Sequence, residues 1–243
     1  KLLPILAEKL RAGTSLRDLV TAAARANART FGGEDYVGFH TMMALAPAYR
    51  MALELPRARQ PLPVLKVLYR NTNRIQEYGG RAKEVLHPVD PGKIPDGRSA
   101  GDAMRDAVRS KDIAEAERVF AALSRGAPAD AYDALLHAVQ DATDVHRVVL
   151  PYRAWDLLDV IGEEHAHTLL RQSVHYCVKS ELRAQPDRYI RSRSLLPKLL
   201  EQHKLLGRSP GARQGDDAWV ERMSQLIFKV APDEAAEVAA AAL

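Results

Sequence analysis

Leu136-His137-Ala138-Val139, Asp144-Val145-His146-Arg147-Val148-Val149-Leu150-Pro151 and His175-Tyr176-Cys177-Val178-Lys179 are the deciding segments of a stretch from Tyr132 to Lys179. Glu164-His165-Ala166-His167 lies between the last two. Five of the eight histidines fall in these 48 residues, inside segments that otherwise read as apolar helix. Histidine is a poor core filler, whereas neutral imidazole is the commonest metal ligand. Gly38-Phe39-His40-Thr41-Met42-Met43-Ala44-Leu45 supplies a sixth histidine in similar surroundings. The stretch therefore poses two questions together: which helices the chain forms, and whether their histidines meet.

No segment shows convincing strand alternation, and Ala and Leu outweigh β-branched runs, so the fold class is all-α. Helices are expected over 2–10, from a cap at Ser15 to about Arg29, and from Glu34-Asp35 onward, with Pro47 kinking or ending the third. Pro63 lies in the first turn of a helix reaching about Tyr78. Further helices are expected over 100–109, 112–124, 129–142, 145–161, 163–184, 188–206, 218–230 and 233–241. His87 to Gly97 holds three prolines and two glycines in eleven residues and reads as a connection. The expected organisation is two pseudo-equivalent helical halves, 1–87 and 99–243, joined by 88–98 in one compact domain. A weak echo supports the halves: Tyr36 to His40 parallels Tyr132 to His137, and Pro47-Ala48-Tyr49-Arg50 parallels Pro151-Tyr152-Arg153.

Composition narrows the partners. With 243 residues, 47% hydrophobic and 27% charged, the chain is globular and long enough for a real core. Its 35 Lys and Arg against 31 Asp and Glu give a net charge of +4. These charges are dispersed, and the tightest basic cluster, Arg188-Tyr189-Ile190-Arg191-Ser192-Arg193, reads as a solvated helix face, which points away from nucleic acid. One cysteine, Cys177, permits no intramolecular disulfide and fits a reducing compartment. No apolar run reaches the roughly 18 residues a membrane span needs, so a cytoplasmic location is expected. Gly-rich phosphate loops, Gly-x-Ser-x-Gly elbows and Cys-x-x-Cys pairs are all absent from the sequence.

Two metal constellations are conceivable. Glu84 with His87 and Glu164 with His167 have the i, i+3 spacing of di-iron carboxylate bundles, but Glu54 and Glu84 lie at helix ends on opposite sides of a bundle, which argues against it. The second is His40, His137, His146 and His175, with Lys179 one turn beyond His175. His137 and His146 are nine apart, about 180° on one straight helix, so they converge only if the helix breaks between them. Asp141-Ala142-Thr143-Asp144 can supply the break, and Asp141 or Asp144 can then orient a histidine. Nitrogen ligands of this kind suit iron, zinc or copper.

His40-Thr41-Met42-Met43-Ala44-Leu45 resembles the His-x-x-Met-Ala-Leu helix of the questin oxidase-like proteins. His137-Ala138-Val139 followed by His146 to Pro151 resembles their paired-histidine segment, and His175 to Lys179 resembles their later His-Lys helix. The resemblance implies a helical oxygenase acting with dioxygen on an anthraquinone-type, apolar aromatic compound. It further implies non-haem Fe(II) on His40, His137, His146 and His175, with Lys179, or alternatively Lys66, as a carboxylated lysine; His165 is an alternative to His175. Zinc in the same cage would polarise or hydrolyse instead. Met42, Met43, Tyr49, Trp155 and Tyr176 are candidates to line the substrate pocket. The rival expectation is a metal-free helical repeat or interaction scaffold, with Asp112 to Leu136 resembling one repeat.

Overall fold

The computed structural model describes the chain except residues 1, 81–82, 143, 184–185, 208–210 and 212–213, and the side chains of 186–192. Every regular element among the described residues is helical. Two compact units are present: Lys1–Val139 with Thr143–Ala184, and Gln140–Ala142 with Gln185–Leu243. This division does not fall at residues 88–98, which lie inside the first unit, and the arrangement in two equivalent halves is not shown.

The first unit contains α1 (Leu2–Arg11), α2 (Leu16–Phe31), α3 (Tyr36–Met43), α4 (Leu45–Glu54) and α5 (Pro61–Tyr78). After the connection come α6 (Ala100–Arg109), α7 (Ile113–Leu123), α8 (Pro128–Val139), α9 (Val145–Ile161) and α10 (Ala166–Arg183). Local chemistry sets these limits. Ser15 accepts the Asp18 amide while the Asp18 carboxylate takes the Ser15 amide, closing a capping box with aspartate in the usual glutamate position. Pro47 has no N–H to give the Met43 carbonyl, and the chain breaks there at Ala44 into α3 and α4. Pro151 is carried inside a continuous α9. Asp144 caps α9 by accepting the His146 amide at 2.8 Å, so the break expected between His137 and His146 is present.

α10 is the central helix, packed against α2, α6, α7, α8 and α9. Leu169, Leu170, Val174, Cys177 and Val178 are all buried in the common core with Val119 and Phe120 of α7 and Leu150, Leu157 and Leu158 of α9. Lys66, on α5, is exposed. One deep charge pair lies inside this core. Arg147, fully buried at the start of α9, donates to Glu181 of α10 at 2.7 Å and to the Ala138 carbonyl in the last turn of α8. The guanidinium thus neutralises a buried carboxylate and serves the negative end of α8 at once. Cys177, next to this pair, is fully buried, and burial pushes its thiol up to about 11, that of an inert core thiol.

The second unit contains α11 (Pro186–Gln202), α12 (Asp217–Lys229) and α13 (Pro232–Ala242), with α13 packed against both α11 and α12. His203 and Gln202 both reach Glu237 of α13. The Asp141 carbonyl accepts Arg193 Nε at 3.2 Å within this unit. The side chains of Arg188 to Ser192 in the basic cluster, and Thr143 in the expected break, lie outside the described residues. No described helix is long and apolar enough to cross a membrane.

Candidate functional site

α3 is held from three directions, and this fixes His40. Asp35 caps it, accepting the Gly38 amide at 2.6 Å, while Arg74 of α5 grips the same carboxylate through Nε at 2.9 Å and a terminal nitrogen at 2.7 Å. That guanidinium holds the Asp35 carboxyl below the usual range, burial opposing. Beneath it, buried Asn27 of α2 donates to the Gly38 carbonyl and to Asn71 of α5, and Thr41 joins both asparagines. A polar tripod in an apolar setting of this kind specifies register, because a slip leaves amides unpaired.

His40 and His146 meet across the α3–α9 contact. Their ring centroids are 5.1 Å apart with the planes at 76°. His40 Nδ1 lies 2.6 Å from the Tyr36 carbonyl, which only accepts, so Nδ1 carries the proton and Nε2 keeps its lone pair. His146 Nδ1 faces Asp144 at 3.7 Å. Asp144 also accepts the Tyr176 hydroxyl at 3.0 Å, and burial together with that carboxylate raises the tyrosine's pKa. Tyr36, Phe39 and Tyr176 surround the pair, with Phe39 to His146 at 5.0 Å and His146 to Tyr176 at 6.1 Å between centroids. Tyr36 is 65% exposed, so the site opens to solvent through an aromatic rim.

His175 is placed differently. Nε2 lies 2.6 Å from Glu117 of α7 and Nδ1 lies 3.4 Å from Glu34 in the α2–α3 turn. Arg171 also reaches Glu117 at 2.5 Å and the His87 carbonyl at 2.6 Å. Burial pushes the His175 imidazole down, but the hydrogen bonds to Glu117 and Glu34 outweigh it and raise the pKa. Burial likewise lifts Glu117, and His175 with Arg171 brings it below the usual carboxylate value; for Glu34 the His175 hydrogen bond leads the lowering. Lys179 faces Glu34 at 3.7 Å as a cation, so carboxylating it would set two anions against each other.

The structure thus brings together His40, His146, Asp144 and Tyr176 of the expected site, and joins His175 to Lys179 through Glu34. His137 stands against α6, its ring so close to Gly101 that any Cβ there would overlap it, and its Nδ1 has no hydrogen-bond partner. Neither His137 nor His175 makes a ring contact with the pair. His165 lies 3.9 Å from Glu164. Asp141 belongs to the second unit. Met43, Tyr49, Trp155 and Tyr176 are partly buried against the core, Trp155 stacking on Tyr132 at 4.7 Å and Tyr176 standing 6.1 Å from His146 between ring centroids. Among the described residues, no three His, Cys, Asp or Glu side chains form a group able to hold a metal ion. Tyr36, Phe39, Glu34 and Glu117 were not expected as site residues. The sequence signal for Tyr36 was present: it stands four residues before His40, on the same helix face.

Comparison with protein-family models, curated proteins and solved structures finds no match for this chain.

Proposed function

We propose that the chain is a metal-dependent oxidoreductase of the questin oxidase-like kind, with a non-haem metal held at His40 and His146. The observation that supports this is the spacing of that pair. Two imidazoles bonded at about 2.0–2.1 Å to one ion place their centroids roughly 4.5–5.2 Å apart for angles between perpendicular and tetrahedral, and the pair stands at 5.1 Å. The Tyr36 carbonyl takes the His40 Nδ1 proton at 2.6 Å, which leaves His40 Nε2 for an ion, and the Asp144 carboxylate stands 3.7 Å from His146 Nδ1. The residues fit a two-histidine site with open positions, and do not fit the four-histidine set, because His175 has its nitrogens on two carboxylates. Iron bound there would supply dioxygen chemistry. The chain's own part is to orient His146 through Asp144, to fix His40 through Tyr36 and Asp35, and to offer the Tyr36 and Tyr176 faces to an apolar aromatic compound.

Untagged protein purified without added metal tests this reading by its metal content, beside the His146→Ala variant. Iron that is present in the wild type and lost in the variant supports it, and oxygen uptake with planar aromatic compounds then becomes the assay. Zinc lost in the same way keeps the site but moves the chemistry toward hydrolysis. Equal metal content in both samples removes the pair from the account. One observation favours the scaffold reading instead: α12 exposes Val220, Ile227 and Phe228, which share one helix face suited to a protein contact. Loss of a partner on Phe228→Ser, in protein that binds no metal, would favour that alternative.

A further inference from the structure

Every residue of α12 except Met223 is exposed, and α13 is the helix packed against it. With Met223 marking the covered side, the rotation of about 100° per residue sorts the others onto two flanks. Val220 and Ile227 lie about 40–60° to one side, followed by Asp217, Phe228 and Glu221 at about 120–160°. Trp219 and Leu226 lie about 40–60° to the other side, followed by Arg222 and Lys229 at about 100–120°. Each flank therefore begins apolar and ends charged, and the two charges are opposite in sign. None of the four charged residues has an ion-pair partner among the described residues, Glu221 accepting only the Gln225 amide at 2.9 Å. Asp217 and Glu221, one turn apart, repel each other. Phe228 is 88% exposed.

We infer that copies of this chain associate head-to-tail through α12, the acidic flank of one copy seated on the basic flank of the next. The spacing sets the register. Laid antiparallel with the two Met223 residues level, Asp217 of one helix stands level with Lys229 of the other, Val220 with Leu226, Ile227 with Trp219 and Phe228 with the small Ala218, because the members of each pair lie equally far from Met223. Arg222 is then within one turn of Glu221. Apolar residues meet apolar residues and each carboxylate meets a cation. Pairing of like flanks fails on the second count, since two acidic or two basic flanks repel. Antiparallel helices also set opposite dipole ends side by side. A contact between unlike flanks leaves one flank of each kind open at its ends, so it propagates instead of closing at two copies. Few side chains are covered at each contact, so association becomes visible on the order of 0.1 mM. The inference stands whether or not the His40–His146 pair binds metal.

Sedimentation velocity of the full chain from about 10 μM to 1 mM tests it. Two double variants are run beside the wild type: Asp217→Lys with Glu221→Lys, and Arg222→Glu with Lys229→Glu. The wild-type mass is expected to rise above the 26.9 kDa of one chain and to keep rising past two copies. Each double variant alone stays at one chain, and an equal mixture of the two regains the rise, because a basic flank once more faces an acidic one. A wild type that stays at one chain throughout overturns the inference and leaves the flanks to a different protein. A rise that stops at two copies, that both variants share, or that mixing does not restore overturns it as well. If either variant does not fold, salt decides: association that does not weaken several-fold in about 1 M salt, where the screening length is about 3 Å, overturns the charge pairing.

Discussion

His175 and His146 lie on neighbouring helices of the first unit, yet their ring nitrogens keep different company. His175 faces Glu117 with one nitrogen and Glu34 with the other, and a guanidinium and an ammonium complete the set. His146 turns Nδ1 toward Asp144 and lies 28% exposed beside His40, whose Nδ1 proton is committed to the Tyr36 carbonyl. The first arrangement is a clamp that joins α7, α10 and the α2–α3 turn. The second joins α3 to α9 through ring contacts and opens to solvent. Whether a helix-borne histidine acts in packing or in chemistry is decided by what its second nitrogen meets, and that is a tertiary property.

The interior side of this comparison breaks most sharply at Arg147. Arg147→Ala leaves Glu181 buried beside a lost cation and is expected to cost about 3–5 kcal/mol in urea denaturation, whereas replacing Arg147 by Met together with Glu181 by Leu recovers most of the loss. Gly33→Ala is next. A side chain at φ 79° that also overlaps the Gln172 carbonyl should cost roughly 3 kcal/mol, read by the same unfolding curves.

The clamp also predicts a pH profile. Folded His175 holds its proton more tightly than the unfolded chain does. Its contribution is therefore complete below the ordinary histidine value of 6.5 and fades as pH rises through the raised folded value. Glu34 and Glu117 contribute fully above their ordinary 4.5 and lose that contribution as pH falls through their lowered folded values. Thermal melts should show greatest stability between pH 4.5 and 6.5, with the alkaline decline absent in His175→Gln. At the surface pair the effects on folding should be small. His40→Ala and His146→Ala should each shift stability by less than about 1 kcal/mol, with the loss confined to metal binding.

Much of the fold was legible because helix ends are local. The limits of α6 and α9, the Ser15 cap and the break at Pro47 all follow from side chains within a few residues of the backbone groups they satisfy or disrupt. The division into units was not. Proline and glycine in 88–98 show only that the segment is not helical, and long-range backbone bonds pin it and its approach into the first unit, Val85 to Arg29 and Gly92 to Arg118. The site was half legible. His40 and His146 could be picked out as histidines in apolar helices, but Glu34 and Glu117 look like any solvent-facing acids until α7 and the α2–α3 turn are folded onto α10. Arg147 did carry a signal, as a charge set within Val145 to Leu150, and its partner Glu181 stands where an apolar residue would otherwise extend the core.

Anaerobic Fe(II) titration of metal-free protein, followed by calorimetry in parallel for the wild type, His146→Ala and His175→Gln, tests the central claim most directly. One binding event that disappears in His146→Ala and persists in His175→Gln is the predicted result. Binding that survives His146→Ala, or that is lost equally in both variants, would contradict it.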